Sequence, residues 1–189
     1  MRRIIATVQT SIDGFMEGPG GEGDLGWMMP FLEDGLADNA RLLGAVDTIL
    51  LGRGTYHGFS RFWPEQEGDF ADLMNQPRKL VIAHQGSLPG VEWGRYGNAE
   101  LIDRDVEETL HRLKAADGGD MVVLASGGLV SSLLPHGLVD ELQIVVVPIV
   151  LGAGKPYLRG IERPVGLELA DLTRYPKGSV RLTYRALTG

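Results

Sequence analysis

Two unbroken apolar runs, each closed by a glycine turn that opens a helical pattern, constrain this chain more than any other feature. Thr48-Ile49-Leu50-Leu51 runs into Gly52-Arg53-Gly54-Thr55, and Met121-Val122-Val123-Leu124-Ala125 runs into Ser126-Gly127-Gly128. An unbroken apolar strand has no solvent face, so it belongs in a sheet covered on both sides. Crossover helices give that cover, and they make the strands parallel. Ile4 to Val8, Lys79 to Ala83, Glu100 to Ile102 and Gln143 to Val147 read as further strands of the same sheet. The C-terminal end differs. Val180, Leu182, Tyr184 and Ala186 alternate with Arg181, Thr183 and Arg185, which marks a half-exposed strand. The turn Tyr175-Pro176-Lys177-Gly178 joins it to Leu167–Leu172. The expected fold is α/β: a mixed, mostly parallel sheet with helices on both faces and a C-terminal antiparallel hairpin, in one domain over residues 1–189.

Apolar spacing predicts helices near Leu32 to Ala45, after Thr55, from Val106 to Ala116 with Asp105 as cap, and near Leu129 to Leu134. Ser11 to Trp27 holds six glycines and a proline, so it reads as a loop able to open and close over a site. Pro64 to Pro77 is acidic and reads as surface.

The net charge of −7 disfavours nucleic acid or an anionic membrane as the main partner, since both need a basic surface. With no cysteine, disulfides, thiolate metal sites and cysteine nucleophiles are excluded. His57, His84, His111 and His136 show no metal-ligand spacing, and no Gly-x-Ser-x-Gly elbow occurs. The apolar start stops at Val8, too short for a signal-peptide core, and no run of about 18 apolar residues exists, so the cytoplasm is the expected compartment.

A glycine-bounded turn from strand to helix points free N–H groups and the positive helix end at one spot, which favours phosphate. Arg53 adds a bidentate cation, and Thr55 a hydroxyl that can cap the helix or bond a phosphate. Two such turns in one small domain point to a dinucleotide. In open parallel sheets, ligands sit at the carboxyl ends of strands, where both turns lie.

The chain resembles dihydrofolate reductase-like proteins. Ser11-Ile12-Asp13-Gly14-Phe15, Gly18-Pro19, Trp27, Leu51-Gly52-Arg53-Gly54-Thr55-Tyr56, Ala125-Ser126-Gly127-Gly128, Leu138-Val139-Asp140-Glu141-Leu142 and Pro148-Ile149-Val150-Leu151-Gly152 carry the likeness, in order along nearly the whole chain. The nearest branch is the C-terminal reductase domain of the bifunctional riboflavin-biosynthesis deaminase/reductase, with its stand-alone relatives. The resemblance implies NADPH as cofactor and hydride transfer to a C=N or C=O bond of a pteridine, pyrimidine or similar substrate. It implies that Gly52, Arg53 and Thr55 hold cofactor phosphates, with Gly127 and Gly128 beside the pyrophosphate and Leu129 and Val130 continuing that turn into its helix. His84 falls where the family touches the 2′-phosphate, and Val8 and Gln9 where its backbone meets the nicotinamide amide. Asp13 falls at the active-site mouth, Trp27 at a lid over the nicotinamide, and Glu33, beside Asp34, at the proton-supplying carboxylate of folate reductases. A homodimer is implied as well.

Plainer roles stand beside these. Asp13 before Gly14 suits an Asx turn, Trp27 suits simple packing, and Glu33-Asp34 suits a charge pair at a helix N-terminus. The riboflavin branch has a substrate-binding Glu two residues before the glycine of its second turn. This chain has Ala125 there, which argues against the riboflavin-pathway substrate. Two rivals to a reductase follow: a non-catalytic NADP(H)-binding module, and an interaction protein that dimerises through a sheet edge or Pro148–Leu158.

Overall fold

In the run after Thr48, Ile49 and Leu51 pack into one side layer and Leu50 into the other, and all three are fully buried. That is why the run shows no alternation. The computed structural model of the chain describes residues 1–187. Thr188 and Gly189 of the expected domain lie outside the described residues. The elements are β1 (Ile4–Thr10), β2 (Phe15–Glu17), α1 (Leu36–Ala45), β3 (Val46–Gly52), α2 (Arg53–Phe62), α3 (Asp69–Asn75), β4 (Arg78–Ile82) and β5 (Ala99–Ile102). Then come α4 (Val106–Ala115), β6 (Asp120–Leu124), α5 (Gly127–Leu133), β7 (Glu141–Val146), β8 (Lys155–Pro156), β9 (Leu167–Arg174) and β10 (Val180–Ala186).

The eight-stranded sheet runs β5-β4-β3-β6-β1-β7-β10-β9. Strands β5 to β7 in that order are parallel neighbours, β10 is antiparallel to β7, and β9 is antiparallel to β10. The expected mixed sheet with its terminal hairpin is therefore present. One core layer joins Leu50, Leu80 and Val123 to Leu110 of α4 and Val130 of α5; the other joins Ile49, Leu51 and Val81 to Leu43 of α1, Tyr56 of α2 and Met74 of α3.

Four local expectations change. The Leu32–Ala45 helix begins only at Leu36, because Gly35 is left-handed at φ +80 and Leu32 is exposed. Pro64–Pro77 contains α3, which buries Ala71, Met74 and Asn75. Ser11–Trp27 contains β2, paired antiparallel with β8. Asp105 does precede a helix, but at φ 47 and without a side-chain cap bond.

Candidate functional site

Two core layers explain where an opening forms. The chain steps outward from β3 to β4 to β5 and then returns to the other flank of β3 as β6. Helix α2 leaves β3 toward one layer and α5 leaves β6 toward the other. Their starts diverge, and a crevice opens between them at the carboxyl ends of the strands, the usual ligand position in such sheets.

This crevice is a cleft of about 1000 Å³. Of the residues expected to hold a cofactor, Gly52, Arg53, Thr55, His84, Gly127, Gly128 and Leu129 all line it. Val130 follows them in sequence but is fully buried in the core. Val8 is buried in the same core layer and Gln9 is half-buried; neither is on the cleft wall.

Ser126 ties the two glycine turns together. Its Oγ accepts the Gly52 N–H at 3.0 Å and donates to Thr55 Oγ1 at 2.9 Å. Thr55 thus does not cap α2; its hydroxyl accepts from Ser126 and keeps its own proton to donate. Ala125 and Ser126 both hold positive φ, 51 and 42. Left-handed geometry at two successive non-glycine residues costs on the order of 1–3 kcal/mol each, and such strain gathers at functional sites. The Ala125 N–H to Thr7 O bond at 2.9 Å and the Val130 N–H to Ser126 O bond at 3.0 Å hold the turn in place.

The two glycines of that turn divide their work. A Cβ on Gly127 would lie 2.0 Å from the carbonyl oxygen of Tyr157. The close approach that needs glycine here is therefore to the chain itself, at the Tyr157 carbonyl. A Cβ on Gly128 would meet nothing within 4 Å, so its backbone faces open cleft. The Tyr157 hydroxyl is buried without a hydrogen-bond partner, and burial raises its pKa.

A strap and a loop form the far wall. Residues 152–159 lie over α5, with the Arg159 N–H donating to Ser131 Oγ at 3.1 Å. Lys155 of the strap forms an ion pair with Glu17, whose other oxygen accepts the Gly23 N–H at 3.2 Å. Both partners line the cleft, as do Glu22, Glu107 and Arg159. Glu107 pairs with His136 at 3.0 Å. Arg53, His84 and Arg159 have no acidic partner among the described residues, and Glu22 of the same cleft has no basic one. Ser126, Glu17, Lys155 and Arg159 were not among the sequence candidates. Only Ser126 carried a local signal, its place in Ser-Gly-Gly.

The three expected catalytic residues stand away from the cleft wall. Asp13 is exposed, and its carboxylate accepts the N–H groups of Leu151 at 3.1 Å and Gly152 at 2.7 Å. The Ser11 hydroxyl and those two amides hold its pKa down at about 2. It staples the strap. Trp27 is half-buried, donating its indole N–H to the Asp24 carbonyl at 3.1 Å, with its ring against Gly18. It braces the loop from behind. Glu33 is exposed and pairs with Lys177 at 2.9 Å. The buried acid of the pair is Asp34, which accepts the N–H groups of Lys177 at 3.1 Å and Ser179 at 3.2 Å. Burial opposes its charge, but these bonds outweigh that and lower its pKa.

The profile of the RibD C-terminal domain family matches residues 2–180. The uncharacterized protein YyaP of Bacillus subtilis (strain 168) is 29% identical over 184 residues, covering 97% of this chain and 94% of its own. A pyrimidine reductase-like protein from Corynebacterium diphtheriae superposes with a TM-score of 0.70 at 17% identity, over 100% of this chain and 93% of that one. Dihydrofolate reductase from Enterococcus faecalis, solved with NADP(H) and RAB-propyl, superposes with a TM-score of 0.60 at 16% identity, over 97% and 96%. The sheet order, the cleft at its carboxyl edge and the family match agree: the fold is dihydrofolate reductase-like, and the chain belongs to the RibD C-terminal domain family.

Proposed function

We infer that the cleft binds NADPH and that the protein reduces a small pteridine, pyrimidine or related C=N or C=O substrate. The observation that carries this reading is the meeting of Arg53, Thr55, His84 and the open backbone of Gly128 in one cleft of about 1000 Å³. The residues fit a dinucleotide. The first-turn N–H groups of α2 lack intrahelical acceptors, Gly128 leaves room for close backbone approach, Arg53 supplies a cation with no acidic partner among the described residues, and His84 adds a ring that can hydrogen-bond. Arg53, with a planar fork, suits the 2′-phosphate that separates NADPH from NADH. Thr55 has a hydroxyl proton free for a phosphate oxygen. The bound cofactor would supply the hydride. The chain's own work is to hold it, to orient its reactive end, and to exclude water with the strap and the Gly18–Asp24 loop.

Asp34 is committed to the hairpin turn and Glu33 to Lys177, so neither is placed as a proton donor. This, with Ala125 at the position of the riboflavin-branch Glu, favours a second reading: an NADP(H)-binding module without turnover. We also place the protein in the cytoplasm as a homodimer. The unpaired edge strand β9, with Leu169 and Leu172 half exposed, is the proposed contact. Among the described residues no helix is long and apolar enough to cross a membrane.

One experiment separates the readings. NADPH oxidation is followed over a panel of pterins, flavin precursors and pyrimidines, beside calorimetric titration of NADPH. Oxidation dependent on one substrate supports the reductase; tight binding with no turnover supports the module. Absence of binding removes both. Light scattering gives the mass that decides for or against the dimer.

A further inference from the structure

The Gly18–Asp24 loop is a preformed cap. Asp24 accepts the Gly20 N–H on its carboxylate at 2.9 Å, its carbonyl takes the Gly18 N–H at 2.8 Å, and Glu17 takes the Gly23 N–H. A side chain on Gly18 would collide with the Asp24 carboxylate at 2.3 Å. The tip is different. Glu22 stands between Gly21 at φ +102 and Gly23 at φ +81, and side chains at either would meet nothing within 4 Å. The two left-handed glycines turn the backbone tightly around Glu22 and leave its side chain open space on both sides.

This tip points across the cleft at the start of α2. Oε1 of Glu22 lies 3.8 Å from where a Cβ of Gly54 would stand, and Arg53 lines the same wall. Gly54 is the second residue of a ten-residue helix, where free N–H groups and the positive helix end favour an anion. Yet Glu22 makes no hydrogen bond or ion pair among the described residues. It stands close to the helix start at Gly54 and is fastened to no group there.

We propose that Glu22 is an affinity-setting residue of this cleft: its carboxylate stands where a cofactor phosphate would meet the start of α2, and its side chain must rotate away before a dinucleotide seats. This rests on the reading of the cleft as a dinucleotide site. A carboxylate beside a bound phosphate repels it, and the repulsion is screened by salt. Glu22 therefore weakens binding of polyanionic ligands and leaves uncharged substrates alone. Inorganic pyrophosphate, which shares only the phosphates, should respond as the dinucleotide does.

The test compares the parent protein with Glu22→Gln and Arg53→Ala. NADPH, and separately inorganic pyrophosphate, is titrated by calorimetry at low and at high ionic strength. Glu22→Gln is expected to tighten both ligands about fivefold at low ionic strength, with the gain fading as salt rises. An unchanged affinity in Glu22→Gln, with Arg53→Ala weakened, would overturn this role and leave the cleft assignment standing. Weaker binding in Glu22→Gln would also overturn it, since the carboxylate would then be accepting a bond from the bound ligand. If NADPH binds none of the three proteins, the cleft assignment itself fails and this role goes with it.

Discussion

Arg53 offers the sharpest test at the scale of one residue. If it reads the 2′-phosphate, Arg53→Ala costs about 1.5–3 kcal/mol of NADPH binding, the range for a hydrogen bond to a charged group. NADH binding should change far less. Equal loss for both cofactors would show Arg53 holding the turn and not reading the phosphate. The two glycines opening α5 give a matched pair. Gly128→Val puts a side chain into open cleft, so the variant should fold normally and bind NADPH poorly. Gly127→Ala drives a methyl into the Tyr157 carbonyl, so it should lose about 1–3 kcal/mol of stability in denaturant titration, the cost of overpacking. Identical behaviour of the two would undo the division of roles. The cradle was legible in the sequence because its parts are local: strand, glycine, cation and hydroxyl follow one another from Leu51 to Thr55. Partners far apart in sequence were not legible. Nothing local announces that Tyr157 leans on Gly127, that Lys155 finds Glu17, or that Asp13 serves Gly152.

Among the elements, the strap of residues 152–159 decides how closed the cleft is. It is held at Asp13, at the Glu17–Lys155 pair, by the Tyr157 N–H to Gly14 O bond at 3.0 Å, and at Ser131. The Asp13 fastening follows pH with a definite sign. Its folded pKa of about 2 lies below the ordinary 3.8, so its support is complete above 3.8 and is lost as pH falls through about 2. At neutral pH the staple is fully engaged. Asp13→Ala should therefore speed amide hydrogen exchange at Leu151 and Gly152, while amides of β3 and β6 stay protected. Uniform loss of protection would mean that Asp13 supports the whole fold. Elements also show where periodicity stops being informative. Helix α3 has only seven residues and acids in its first turn, so its apolar side at Ala71 and Met74 was too short to stand out. Strands β2 and β8 are three and two residues long and sit among glycines, and they exist only because each pairs with the other. The long parallel strands were legible for the opposite reason, since burial on both faces needs an apolar residue at nearly every position.

At the scale of the whole molecule, the sheet carries the candidate cleft at one end and an unusual buried lysine at the other. Lys79 lies at the start of β4, fully buried, and no acid partners it among the described residues. Its ammonium donates to the carbonyls of Asn75 and Pro77 and sits 4.7 Å over the Trp93 ring. Burial pushes its pKa down from 10.5 to about 7. The linkage then has a fixed direction. Between about 7 and 10.5 the unfolded chain binds a proton at Lys79 that the folded chain has released, so stability rises with pH across that window. Below about 7 the lysine is charged in both states, and the folded protein bears the full cost of burying it. Lys79→Met removes this titration while keeping bulk. The carbonyls of Asn75 and Pro77 would still be satisfied, because Asn98 Nδ2 also donates to them at 2.8 and 2.9 Å. The variant is expected to melt no lower than the parent at neutral pH. The melting-temperature difference, parent minus variant, should climb as pH is raised from about 7 toward 10. Other lysines and tyrosines titrate in that range too, but they are common to both proteins and cancel in the difference. A difference that stays flat with pH would show that Lys79 remains protonated in the fold, held by its two carbonyls and the Trp93 face against the burial that lowers its pKa.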